Sequence, residues 1–196
     1  MTIQPKARRR AAPPSETVHA TCVAFGTAGV LLLGPSGSGK SDLALRAVME
    51  QGAKLVADDR VRLAAVADGL TAEAPPEARA AGLVGAIEAY GLGILRLRPA
   101  QCRARIRLAL AVALVPPGDV ERLPIFWQES GAARGDFESL GTESLDSEGF
   151  ERLGVALPLL RLAPFEVSAA LKLRLAAKLN VRLAAGRRSG SIKRLA

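Results

Sequence analysis

The chain has 196 residues, 49% hydrophobic and 23% charged, which fits one globular domain and excludes general disorder, a collagen-like repeat or a coiled-coil rod. Lys and Arg number 27 against 19 Asp and Glu, a formal net charge of +8, so phosphate groups or an acidic partner are favoured. Nucleic acid is not: much of the excess sits in Lys6, Arg8, Arg9, Arg10, Arg187, Arg188, Lys193 and Arg194, and aromatics at 4% offer no stacking platform for bases in series. No run of about eighteen apolar residues is free of charges and turn residues, so no membrane helix is expected. Two cysteines, Cys22 and Cys102, suggest neither a metal cluster nor a disulfide framework and fit a reducing cytoplasm.

Residues 1–16 read as a flexible basic tail, because Ala11-Ala12-Pro13-Pro14 stands where a secretory signal needs an apolar core. Residues 21–26 and 29–34 are apolar runs joined by Gly26-Thr27-Ala28-Gly29, which predicts two strands around a tight turn. From Ser41 the spacing of Leu43, Ala44, Ala47 and Val48 predicts a helix, stopped by Gly52. Residues 54–57 form a short strand that ends at Asp58-Asp59, and residues 61–66 either continue it or make its neighbour. Pro75-Pro76 marks a loop, and residues 82–93 are punctuated by glycine without a clean period.

Residues 105–115 alternate and then run continuously apolar, which predicts a central strand closed by Pro116-Pro117-Gly118. Residues 118–152 are polar and read as a long surface excursion carrying Phe126 and Trp127, residues suited either to a partner contact or to local packing. A short edge strand is expected at 157–162. The longest helical signal runs over 165–183, with Val167, Leu171, Leu175, Leu179 and Leu183 spaced by four, a stripe expected to pack on the sheet. Residues 186–196 read as a second basic tail, leaving 17–185 as the folded domain.

Gly34-Pro35-Ser36-Gly37-Ser38-Gly39-Lys40-Ser41 matches the phosphate-loop pattern GxxxxGK[ST], with a strand before it and a helix after it. Glycines let backbone N–H groups wrap a phosphate, and the helix adds the positive end of its dipole. Lys40 is then placed to reach the β- and γ-phosphates and the Ser41 hydroxyl to hold Mg²⁺. Phosphoryl transfer also needs an acid near the metal and a group that takes a hydroxyl proton. Asp58-Asp59 could supply both, although neighbours on a strand face opposite ways unless a turn has begun.

His19, the hairpin before the loop, the loop itself, Leu55-Val56-Ala57-Asp58-Asp59-Arg60 and Ile87-Glu88-Ala89-Tyr90-Gly91-Leu92-Gly93-Ile94 occur in the order found in the catalytic domain of HPr kinase/phosphorylase. The chain resembles that family over about residues 17–180. The resemblance implies an α/β phosphate-loop domain, with a strand hairpin before the loop and helices about a central sheet. It implies an ATP- and Mg²⁺-dependent serine kinase acting on the phosphocarrier protein HPr, with phosphate-dependent reversal. By the same resemblance Asp58 is the general base, Asp59 supports the metal and its waters, Glu88 is a further metal-site acid, and His19 stands near the phosphates. A cytoplasmic homo-oligomer, hexameric in the family, is also implied.

Three features depart from the family pattern. Tyr90 stands where an arginine is usual, the arginine-containing loop is shortened to residues 95–103 with Arg96, Arg98 and Arg103 as possible substitutes, and the additional N-terminal domain of full-length members has no counterpart. Two other readings stand beside the protein kinase: a phosphate-loop kinase for a small metabolite, and a nucleotide sensor without turnover.

Overall fold

The computed structural model describes residues 13–120 and 150–190. Phe126 and Trp127, like both extreme termini, lie outside the described residues. In chain order the elements are β1 (Ser15–His19), β2 (Thr21–Phe25), β3 (Ala28–Leu33), α1 (Lys40–Gln51), β4 (Lys54–Ala57), β5 (Arg60–Val66), β6 (Gly69–Glu73) and α2 (Pro76–Ala80). There follow β7 (Ala86–Ala89), β8 (Gly93–Arg96), β9 (Arg105–Leu114), β10 (Phe150–Arg152), β11 (Val155–Leu157), β12 (Leu159–Leu162) and α3, which corresponds to Ala169–Gly190. The mixed α/β architecture is the one expected. The first strand begins at Ser15 and α3 continues to Gly190, so ordered elements reach into both stretches read as tails.

The main sheet runs β1-β5-β6-β9-β3-β2-β4, with β12 added to β9. Only Ala20 separates β1 from β2, and only Asp58 and Asp59 separate β4 from β5, yet each pair is divided between distant positions of that order. The registers explain how. His19 lies opposite Arg60 and Cys22 opposite Ala57, so β1–β2 and β4–β5 form one antiparallel ladder that bends at Ala20 and at the acidic pair. The Ala20 N–H donates to the Asp59 carbonyl at 3.2 Å and holds the bend. The sheet therefore curls, and its corner is where the two aspartates stand.

Side-chain alternation sorts the apolar residues into two cores. Val23, Val30, Leu32, Leu110 and Val112 face the helices, against Leu43, Ala44 and Ala47 of α1. Cys22, Leu31, Val61, Leu63, Leu70 and Leu108 fill the inside of the curl, where Leu157 joins them. Buried on both faces, β3 reads as an unbroken apolar run. Residues 61–66, open between two readings in the sequence, belong to a separate strand that pairs with β1 and β6. Strand β9 is central as expected, while residues 157–162 split at Pro158 into the end of β11 and a strand β12 parallel to β9.

The leucine stripe of the C-terminal helix does not pack on the sheet. Val167 is 98% exposed, and Leu171, Leu175 and Leu179 are 46%, 49% and 43% exposed; the Leu183 side chain lies outside the described residues. The buried face is Ala169, Ala170, Leu173, Ala176 and Ala177, extended by Asn180, whose side-chain amide donates to the Ala109 carbonyl at 2.7 Å. Steps of three and four keep a face on one side of a 3.6-residue helix, whereas repeated steps of four wind around it. Small residues also let α3 lie close to α1 and the sheet, which a row of leucines would prevent.

One buried carboxylate sits on the outer side of the curl. Glu73, buried, accepts from Arg62 at 2.9 Å, Arg79 at 3.1 Å and Arg105 at 2.7 Å, in a cross-strand row that the register Arg62–Glu73–Arg105 creates. Burial alone would raise its pKa, but the Arg105 hydrogen bond and charge, then Arg79 and Arg62, outweigh it and hold the group below the usual carboxylate range.

Two stability measurements check these assignments. Leu173→Ala should cost about 2–5 kcal/mol in urea unfolding, while Leu175→Ala should stay within about 0.5 kcal/mol; the reverse order would mean the helix is turned. A depressed carboxylate adds stability that is present above its unfolded pKa and lost as pH falls through the lower folded one. Replacing Glu73 by Gln should therefore lower stability at neutral pH and flatten the acid limb of a stability–pH curve.

Candidate functional site

The loop leaves β3 after Leu33 and enters α1 at Lys40. Gly34, Gly37 and Gly39 have φ of 153°, 77° and 86°, conformations that L side chains rarely adopt. A Cβ on Gly34 would also stand 2.5 Å from the Ser38 Oγ, and one on Gly39 would stand 3.0 Å from the Phe165 ring. No side chain caps the first turn of α1, so its N–H groups keep the anion-binding potential of a helix N-terminus. The Ser38 hydroxyl is buried without a partner, an unmet polar group of the kind that a phosphate oxygen satisfies. The residues present thus fit a polyphosphate.

Lys40 is buried, with its Nζ donating to the carbonyls of Gly34 at 2.8 Å and Pro35 at 2.7 Å. Burial lowers its pKa below the ordinary lysine value, against the opposing pull of Asp59 and Asp58. The ammonium spans the mouth of the loop and ties its first two residues to the helix.

Asp58 is the meeting point of the site. Its Oδ1 accepts from the Ser41 hydroxyl at 2.9 Å and the Thr21 hydroxyl at 2.7 Å, and its Oδ2 from the Glu88 N–H at 3.1 Å. Strand alternation does not separate the two aspartates, because β4 has already ended. Asp59 takes a φ of 63° and the Arg60 N–H donates back to the Asp58 carbonyl at 2.7 Å, a tight left-handed turn at the corner of the sheet.

Asp59 contacts His19: the His19 Nδ1 lies 3.1 Å from the Asp59 Oδ1 and 3.0 Å from its carbonyl oxygen. The acid expected to support the metal and the histidine expected near the phosphates are thus neighbours, both more exposed than Asp58. Glu88 reaches the site through its backbone, and its side chain is exposed on β7. Among the described residues no three acids, histidines or cysteines gather into a metal-holding group, so the polyphosphate itself would complete the coordination of a cation here.

Tyr90 is fully exposed at the tip of the β7–β8 hairpin. Arg96 donates to the carbonyls of Gly82 and Val84, and Arg103 to that of Gly26, so neither is turned to the loop in place of the expected arginine. A cavity of about 690 Å³ opens beside the acidic pair, between α2 and β7–β8, with Asp58, Asp59 and Glu88 at one end and Val56, Ile87 and Ile94 among its apolar walls.

Thr21 is the site residue that reading the sequence passes over. It is fully buried, and the register that bends at the corner places it opposite Asp58. A lone threonine at the start of an apolar strand carries no signal until the strand's partner is known.

These features define an α/β domain in which a glycine-rich loop between a strand and a helix is faced by an acid on a curled sheet. Residues 10–122 match the family model described as "HPr Serine kinase C-terminal domain". The chain is 42% identical over 90 residues to the HPr kinase/phosphorylase of Peptoclostridium acidaminophilum, an alignment covering 42% of this chain and 29% of that protein. It is 38% identical over 119 residues to that of Bordetella pertussis, covering 57% and 37%. The matched part of the chain therefore spans only 29% and 37% of the length of these two curated relatives. The solved Hpr(Ser) kinase/phosphatase of Coxiella burnetii superposes with a TM-score of 0.61 at 24% identity, covering 90% of this chain and 96% of that one, which shows the shared fold. The chain belongs to the HPr serine kinase C-terminal domain family.

A double-mutant cycle tests the corner. Thr21→Val and Asp58→Ala, measured singly and together by urea unfolding, should couple by about 0.5–3 kcal/mol, and Thr21→Ser should lie close to the wild type. Strictly additive costs would show that the hydroxyl and the carboxylate do not interact.

Proposed function

We propose that this domain transfers the γ-phosphoryl group of ATP, with Mg²⁺, to a serine hydroxyl of the phosphocarrier protein HPr. The observation that carries the reading is the Asp58 carboxylate 2.9 Å from the Ser41 hydroxyl at the point where the glycine loop enters α1. Family membership and the names of the relatives support the same acceptor.

Bound at the loop, Mg²⁺–ATP supplies the phosphoryl group and the cation that neutralises its charge. Gly34 to Ser41, all but Pro35 carrying a backbone N–H, would cradle the phosphates, Lys40 would exchange the loop carbonyls for phosphate oxygens, and Ser41 would hold the metal. Asp58 orients the serine hydroxyl and takes its proton, and in reversal returns it to the serine oxygen. Thr21 and the Glu88 N–H keep that carboxylate in place. Asp59 and Glu88 serve the metal and its waters, and His19, beside Asp59, stands near the phosphates. Most of the rate effect then comes from positioning and electrostatics.

A second reading, a kinase for a small metabolite, is supported by the cavity of about 690 Å³ beside Asp58, which is of ligand size. Self-association, expected from the family resemblance, has support in the exposed Leu171, Leu175 and Leu179 of α3. Among the described residues no helix is long and apolar enough to cross a membrane; the cytoplasmic location proposed here rests on the family resemblance.

Incubation of the purified chain with ATP, Mg²⁺ and either HPr or a metabolite pool, followed by mass spectrometry, separates the two acceptors. A phosphoserine on HPr is expected, and phosphate found only on a small molecule would favour the second reading. Lys40→Ala should abolish transfer with the fold intact. Asp58→Ala should lower kcat by about 10²–10⁴-fold while the Kd for ATP changes little; equal losses in both would make Asp58 a binding group.

A further inference from the structure

We propose that Phe165 is a stacking platform for the nucleobase of the bound nucleotide, an inference that rests on the nucleotide reading above. Strands β3, β9 and β12 pair in parallel, so their C-terminal ends, at Leu33, Leu114 and Leu162, open on one edge of the sheet. The phosphate loop leaves β3 on that edge and the segment 163–168 leaves β12 on it. In open α/β sheets the crevice outside the carboxyl ends of the strands is where ligands lie.

Phe165 stands in this crevice. Its Cε1 and Cζ are each 3.0 Å from the position a Cβ on Gly39 would occupy, so only a glycine at the start of α1 lets the ring come this close. The ring is nonetheless 72% exposed. An apolar ring packed for stability alone would be covered, as its chain neighbours Ala163 and Pro164 are. Here the backbone on both sides of the ring is tied down instead: Arg46 of α1 donates from Nη1 to the Glu166 carbonyl at 3.2 Å and from Nη2 to the Pro164 carbonyl, while its Nε is held by Asp42 at 3.1 Å. Both carbonyls are bound from the helix that begins at the glycine loop, so the backbone that carries the ring is tied to the cradle.

An exposed aromatic on a pinned backbone, beside a site for polyphosphate, is arranged to receive a flat apolar face at little conformational cost. Of the three parts of a nucleoside triphosphate, the phosphates are matched by the loop, the ribose is puckered and hydroxylated, and only the base offers such a face. The ring carries no hydrogen-bonding group, so it contributes affinity for a base without choosing among bases. Among the described residues the other exposed aromatic is Tyr90, on the β7–β8 hairpin that borders the cavity beside the acidic pair.

The test compares Mg²⁺–ATP with Mg²⁺–tripolyphosphate, which has the phosphates and no base, by titration calorimetry. The wild type should bind ATP more tightly than tripolyphosphate. Phe165→Ala should weaken ATP by about tenfold and leave tripolyphosphate unchanged, whereas Phe165→Trp should retain the ATP affinity and show a change in indole emission with ATP that tripolyphosphate does not produce. Equal weakening of both ligands by Phe165→Ala would mean that the ring only supports the loop, and an ATP affinity indifferent to the substitution would remove the platform; either overturns the inference while leaving the nucleotide reading in place. A wild type that binds neither ligand would bring down both.

Discussion

The carboxylate of Asp58 takes hydrogen bonds from three elements far apart in the chain: the Thr21 hydroxyl at the start of β2, the Ser41 hydroxyl at the start of α1, and the Glu88 N–H on β7. Each donor depends on a different part of the fold. Thr21 is brought in by the bent ladder, Ser41 by the loop that follows β3, and Glu88 by the hairpin that lies over the end of β4. A carboxylate with hydrogen bonds from several directions has a fixed orientation, and fixed orientation is what the role proposed for Asp58 requires. The curl of the sheet follows from the same point, because the corner that turns the ladder is the acidic pair itself.

The bend also separates two aspartates that the sequence places side by side. Through its left-handed φ of 63°, Asp59 is carried outward to His19, while Asp58 remains against Ser41. A straight strand would have sent one of them to the opposite face of the sheet. A turn keeps both on the same edge at different depths, one enclosed by hydroxyl donors and one beside an imidazole in solvent. Two carboxylates in unlike surroundings can hold unlike roles in phosphoryl transfer, which is the division of labour proposed for them.

The helical side shows how packing geometry overrides side-chain size. Both stripes of α3 are apolar, and the bulkier one is the more conspicuous on paper. The sheet accepts the alanine face because α3 must also pass close to α1, the helix that carries the phosphate loop. Close approach of α3 and α1 keeps the segment between β12 and α3 beside Gly39, so the position of Phe165 is a consequence of small residues on the buried helix face. The leucines are left on the surface as a result.

The glycine-rich loop, its strand and its helix were legible from the order of residues, because glycine punctuates the chain there and the flanking periods are local. The hairpin of β2 and β3, the central strand β9 and the acidic pair at the end of β4 were legible for the same reason: each depends on neighbours within a few positions. Strand β1, the pairing of β5 with β1 and β6, the place of Thr21 and the buried face of α3 were not. Each of these is settled by a partner tens of residues away, and alternation or a helical stripe says that a face is apolar without saying what covers it. Local chemistry thus determined which groups are available, and only the long-range register of the curled sheet decided which of them meet.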